Sequence, residues 1–320
     1  MAREQGPIVP FMRFLSHLRI AFVGFLMGSA DVVPGVSGGT IAFICGIYER
    51  LLNGIKAFDF TTLRLMLRGD FKGAWARLPI AFFVALGVGL LTAVLTMAKV
   101  LEHLLASHPV PLWSFFFGLV LGSIVLLART TWAWKPVDFM VFAGFALGTY
   151  LLVGLEAIQT PASLPFTFLA GAIAICAMIL PGISGSYLLL IMGKYQQVLE
   201  AVNNRDLVTL GVFCLGIATG ILSFVRLVSW LLRSYERTTL VALTGIMAGA
   251  LRTLWPWKET VSTRLNSSGE EVPLVQVNIA PPAGGQIEWA IGLLIVGCFA
   301  VLLIERLGRA ERNASARSGR

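Results

Sequence analysis

Pro34-Gly35-Val36-Ser37-Gly38-Gly39 and Pro181-Gly182-Ile183-Ser184-Gly185-Ser186 are the two places in this chain where residue types and spacing combine into possible chemistry. Proline removes a backbone donor and disfavours helix before it, while glycine permits positive φ, so both stretches interrupt a helix. Both are embedded in apolar sequence, where the freed backbone groups need partners. The hydroxyls of Ser37, Thr40, Ser184 and Ser186 can supply them, and the amides of Gly38, Gly39 and Gly185 stand where helix restarts. A restarting helix also aims its positive dipole end at the break. Two such ends facing each other suit an anion such as a phosphate. In this reading Pro34, Gly35, Pro181 and Gly182 shape the loops and the residues after them bind.

Charged residues near these breaks are few. Lys99 and Arg226 lie toward the ends of apolar runs; each alone reads as a snorkelling cation, and as a pair they suit receipt of a phosphate on either side. Asp31 precedes the first break and has two readings, a cap on the restarting helix or a carboxylate coupling transport to protons or sodium. Glu49 follows the same break; coupling competes there with a plain interfacial role beside Arg50. The 3 histidines (His17, His103, His108) have no metal-binding spacing. Cys45, Cys176, Cys214 and Cys298 are scattered singly through apolar runs and read as small core residues. Neither a metal site nor a cofactor is expected.

The elements that position these residues belong in a bilayer. Of 320 residues 57% are hydrophobic and only 13% charged, and the mean hydropathy is +0.81, whereas soluble domains carry about 25% charged residues. The net charge of +8 is more simply the cationic excess of cytoplasmic loops than a nucleic-acid footprint. The N-terminal run ending in Gly28-Ser29-Ala30 imitates a secretory signal, but it continues directly into the first break and is expected to stay as part of the fold.

Six runs approach the roughly 20 residues of a spanning helix: 79–98, 111–128, 137–155, 207–225, 239–254 and 287–304. Two more, 20–53 and 166–199, carry the breaks and are too long for one simple crossing. If both are re-entrant, the 25 cations divide 19 inside to 6 outside; if both cross, they divide 12 to 13. The positive-inside rule therefore favours two re-entrant hairpins with both termini cytoplasmic. The chain is also duplicated. The two motifs, with Gly46/Gly193 and Tyr48/Tyr195, match at an offset of 147, and Gly89/Gly216, Thr92/Thr219, Lys99/Arg226, Gly118/Gly245 and Gly122/Gly249 match at 127. The expected architecture is an all-α polytopic membrane protein with an inverted-topology repeat. Residues 1–157 and 158–320 each hold one broken re-entrant hairpin and three transmembrane helices, and 255–286 form an extracytoplasmic loop.

From Gly28 to Leu52 (GSADVVPGVSGGTIAFICGIYERLL), in its echo from Ile179 to Leu199, and in FFFGLVLGS and LTGIMAGAL, the sequence resembles a bacterial and archaeal membrane family associated with translocation of polyprenyl phosphate, chiefly undecaprenyl phosphate. The resemblance covers nearly the whole chain. It implies a flippase of the cytoplasmic (inner) membrane that returns the lipid carrier of cell-wall synthesis from outer to inner leaflet by alternating access, with protons or sodium as possible partners besides membrane lipids. A transporter or channel for a small soluble anion would use the same loops. A membrane-embedded lipid phosphatase would need a nucleophile or metal constellation that the sequence lacks. The oligomeric state is left open. A reporter fused after residue 60 is expected to face the cytoplasm; a periplasmic signal would overturn the re-entrant topology.

Overall fold

A computed structural model describes residues 8–33, 36–131, 133–155, 158, 160–265, 271–282 and 286–318. Pro34 and Gly35 of the first break lie outside the described residues. The described residues are helical apart from one β-hairpin and the connections: α1 (Ile8–Val32), α2 (Gly38–Ile44), α3 (Tyr48–Lys56), α4 (Phe60–Leu67), α5 (Phe71–Arg77), α6 (Ile80–Ser107), α7 (Pro109–Thr130), α8 (Pro136–Leu152), α9 (Leu164–Ile179), α10 (Gly185–Ile191), α11 (Tyr195–Asn203), α12 (Leu207–Ser234), α13 (Glu236–Leu254), β1 (Lys258–Leu265), β2 (Glu271–Asn278) and α14 (Gln286–Ser318). It is an all-α polytopic membrane protein. Among the described residues five helices are long and apolar enough to cross a bilayer: α1 over Phe14–Val32, α6, α7, α12, and α14 over Gln286–Arg306. Their outward faces carry bare apolar side chains such as Leu95, 81% exposed, as lipid requires.

Helix ends follow local chemistry. Proline opens α7, α8 and α9, where its missing N–H costs nothing. Asp59, Asp70 and Asp206 accept backbone N–H groups in the first turns of α4, α5 and α12. Single residues, His108 and Tyr235, separate α6 from α7 and α12 from α13.

Both broken segments double back. Arg19 on α1 donates to the Cys45 carbonyl at the end of α2 at 3.5 Å, which brings α2 back alongside α1. In the second segment Ile158 N–H and the Thr160 hydroxyl donate to the Ile191 and Met192 carbonyls, each at 2.7 Å. The end of α10 thus returns to the level where α9 begins. The first arm is longer than its sequence suggested, since α1 already starts at Ile8.

Glycine decides how the long helices pair. Gly24 and Gly28 of α1 lie against the Leu86 and Leu90 carbonyls of α6, and Gly89 returns the contact on Ala21. Gly171 and Gly216 repeat this between α9 and α12, on Phe213 and Phe168, the positions that the two offsets equate with Leu86 and Ala21, and Gly220, one turn beyond Gly216, sits on Ala172, one turn beyond Phe168. Gly118 and Gly122 of α7 sit on Leu294 and Cys298 of α14, while Gly245 and Gly249 of α13 sit on Phe142 and Ala146 of α8. Each half's middle long helix therefore packs on the other half's last helix, and these contacts equate α8 with α14 at an offset of 152. In all four pairs the residue numbers rise together, so the partners run parallel. Asp138 and Arg237, paired at 2.6 Å, close one end of α8 and α13. Arg252, over the Tyr150 ring at 4.5 Å, closes the other.

One stretch gains structure and one expectation needs correcting. Within 255–286, β1 and β2 pair antiparallel. Their base is pinned where the Trp255 indole donates to Ile279 O at 2.9 Å and Lys258 lies 3.6 Å over the Trp113 ring. Cys214 is exposed on α12 rather than in the core; Cys45 is buried, and Cys176 and Cys298 are half-buried, with the Cys298 thiol donating to Gly118 O at 3.0 Å.

The backbone-on-backbone pairing predicts that Gly118→Val and Gly245→Val each cost about 3 kcal/mol by overpacking. Gly211→Val, at a site with nothing within 4 Å, should cost almost nothing. Thermal unfolding in detergent is the check.

Candidate functional site

The two breaks meet and bond to each other. Gly182 N–H donates to the Thr40 hydroxyl at 2.9 Å, and the Ser37 hydroxyl donates to the Leu180 carbonyl at 3.3 Å. Neither partner of the first bond has water to turn to, since Thr40 and Gly182 are both buried. Gly39 lets the chains approach: a Cβ there would lie 3.0 Å from Met178 O and 3.1 Å from Ile179 O. Gly182 is required twice over, by a φ of +97° and by the Met247 backbone of α13, 3.0 Å from where a Cβ would stand.

Around this junction the halves differ. Asp31 at the end of α1 accepts the Gly38 N–H at 2.6 Å and so caps α2. Its counterpart at offset 147 is Met178, and the restart of α10 has instead the Ser184 and Ser186 hydroxyls bonded to each other at 2.9 Å, with Gly185 pressed on Ala174 O. Ser184 is buried and Ser186 exposed. Beyond the junction the symmetry resumes. Both short helices end at a glycine of positive φ, Gly46 at 69° and Gly193 at 66°. Both close with the same backbone bonds, Ile47 N–H to Ala42 O at 3.0 Å and Lys194 N–H to Leu189 O at 2.8 Å.

Of the residues singled out in the sequence, Asp31, Ser37, Gly38, Gly39, Thr40, Pro181, Gly182, Ser184, Gly185 and Ser186 gather here. Lys99 and Arg226 do not enter the junction. Both are exposed, on α6 and α12, and the Arg226 guanidinium donates to its own helix at Leu222 O, 2.8 Å away. Glu49 is exposed in the first turn of α3. The surface grooves, about 650 Å³ along α8 between Val137 and Gly148 and about 520 Å³ beside Trp134, are open and apart from the junction. Among the described residues no three His, Cys, Asp or Glu side chains gather as a metal site.

One buried cation escaped the sequence reading. Lys194, 1% exposed, donates to Pro161 O at 2.5 Å and to Gln197 Oε1 at 2.6 Å, tying the exit of the second hairpin to its entrance. The signal was available, because the repeat puts Ile47 at the same place. A lysine in an otherwise apolar repeated position is costly unless its donors are used.

Two halves thus exchange parallel helix partners and join through paired breaks. The family described as VCA0040-like, undecaprenyl phosphate translocase-like, matches residues 27–272. The chain belongs to the undecaprenyl phosphate translocase-like family. A polyprenyl-phosphate transporter of Vibrio cholerae serotype O1 is 44% identical over 267 residues, covering 83% of this chain and 87% of the relative. A polyprenyl-phosphate transporter of Staphylococcus aureus is 30% identical over 254 residues, covering 73% and 84%. No solved structure matches. The translocase-like family's match takes in both breaks, β1 and the start of β2.

Thr40→Val keeps the shape but strands the buried Gly182 N–H, and should cost about 1–3 kcal/mol. Thr40→Ser should restore most of it. Unfolding midpoints of the three proteins test the bond; equal midpoints for Thr40→Val and wild type would refute it.

Proposed function

We propose that the protein carries polyprenyl phosphate, with undecaprenyl phosphate as the expected substrate, across the cytoplasmic membrane from outer to inner leaflet. The bond between Gly182 and Thr40 carries the proposal. It joins two re-entrant breaks at membrane depth, and breaking it frees amides and hydroxyls that match a phosphate. The difficulty of the task is the charged headgroup, since a polyprenyl tail is at home in hydrocarbon. The junction is then the closed gate of an alternating-access cycle. When one hairpin swings away, the Ser37, Thr40 and Ser184 hydroxyls exchange their bonds within the protein for bonds to phosphate oxygens.

Inverted halves suit such a cycle, since each hairpin then serves one leaflet. The helix directions support that reading. Arg237 at the start of α13 donates to Ala133 O, just past the end of α7, at 2.6 Å, and Trp255 at the end of α13 meets Phe117 of α7 with ring centroids 5.9 Å apart, so α7 opposes α13, its repeat counterpart. In this arrangement residues 1–157 and 158–320 are the two repeats, both termini are cytoplasmic and the β-hairpin is extracytoplasmic. Asp31 is the coupling carboxylate: its cap on α2 is strong only when ionised, so protonation would loosen the first break. The reading is of a transporter rather than an enzyme, in keeping with the names of its relatives.

Purified protein in proteoliposomes is expected to flip labelled undecaprenyl phosphate, faster under an imposed proton or sodium gradient, with soluble phosphate a poor competitor. Asp31→Asn should retain basal flipping and lose the gradient's effect. Flipping no faster than in protein-free vesicles would overturn the proposal, and equal competition by soluble phosphate would replace it with small-anion transport.

A further inference from the structure

Where α3 packs against α12, three cations come within electrostatic reach of one another. Arg226 and Arg233 are spaced i, i+7 on α12, which places them on one face, and Lys56 ends α3, the helix packed on α12. Burial first, then the charges of Arg233 and Arg226, hold the Lys56 ammonium below its ordinary range, so all three lie within electrostatic reach. None of them forms an ion pair among the described residues. Glu49, the carboxylate of α3, sits two turns before Lys56 in the helix's first turn.

A second feature occupies the same face. Ser229, at i+3 from Arg226, is 5% exposed and its hydroxyl has no hydrogen-bond partner. A buried, unused donor is costly, and beside mutually repelling cations it suits an anion. The repeat sharpens this. The equivalents of Arg226, Ser229, Arg233 and Lys56 are Lys99, Glu102, Ala106 and Asn203. One cation remains there, and a carboxylate stands where Ser229 does. An excess of positive charge that served only orientation would not need the serine, and symmetry of the fold did not impose it.

We infer that Lys56, Arg226, Ser229 and Arg233 form an anion site for the phosphate monoester of a lipid, present at one end of the duplicated scaffold and absent from the other. The inference rests on the lipid-phosphate reading of the function and adds a place where the headgroup is held. In the proposed topology the site lies on the cytoplasmic side, so it captures the phosphate after passage and opposes its return.

The test is binding to full-length purified protein, with undecaprenyl phosphate, phosphatidylglycerol and inorganic phosphate as separate arms. Wild type should prefer undecaprenyl phosphate to both others. Arg233→Gln and Lys56→Gln should each weaken it about tenfold. Ser229→Ala should weaken it about threefold while leaving the unfolding midpoint unchanged or raised, which a packing role would not do. Arg68→Gln, in the α4–α5 connection, should leave binding unchanged. Unchanged affinity in Arg233→Gln and Lys56→Gln would overturn the site, as would an equal loss in Arg68→Gln. Equal binding of phosphatidylglycerol would reassign it to anionic lipids at large, and equal binding of inorganic phosphate would remove the lipid. Wild-type flipping with unaffected binding in the variants would defeat this inference alone, whereas binding without flipping in wild type would defeat the transport proposal alone.

Discussion

Bare backbone at membrane depth must find a partner, and here each break finds it in the other. The Gly182 amide on Thr40 and the Ser37 hydroxyl on Leu180 O satisfy groups that lipid cannot. That one requirement propagates outward. The breaks can meet only if both hairpins reach the same depth, and α2 and α10, each seven residues long, turn back at equivalent glycines. They can stay together only if the helices behind them are fixed. The exchange of α7 onto α14 and α13 onto α8, backbone against backbone at glycine, fixes them. Neither half has a complete set of partners without the other.

On this symmetric frame the chemistry is unsymmetrical. Asp31 caps one short helix where Met178 stands behind the other. Lys194 staples one hairpin exit where Ile47 merely packs. Lys56, Arg226, Ser229 and Arg233 crowd one end where Asn203, Lys99, Glu102 and Ala106 occupy the other. The α4–α5 insertion and the β-hairpin have no counterparts in the opposite half. Duplicated packing gives two breaks of equal construction. Differences in charge at matching positions are what can make their use unequal, because Coulomb and desolvation terms in a poorly screened setting outweigh small packing differences.

Much of the fold was legible because its signals are local or periodic. The Pro-Gly breaks, the apolar runs and the recurrence of Gly89, Gly118 and Gly122 as Gly216, Gly245 and Gly249 need no distant information. The last helix of each half was not aligned, since α8 and α14 share no comparable motif and only their glycine-bearing partners reveal the offset of 152. The site was half legible. The hydroxyls were singled out for an anion, yet three of the four are buried and bonded within the protein, Thr40 and Ser37 across the breaks and Ser184 to Ser186. Lys56 and Ser229 were passed over because one sits in a run of loop cations and the other in an apolar helix.

The sequence by itself determined the bilayer setting, the duplication and the positions of the two breaks. Hydropathy, glycine and proline act through neighbouring residues and the solvent, so they are written in order along the chain. Only the tertiary structure decided which groups the breaks would use as partners, that the close helix pairs run parallel, and that three cations and a serine from two helices share one face. Those are meetings of residues far apart in sequence, settled by how closely glycine lets backbones approach and by where buried polar groups can be satisfied.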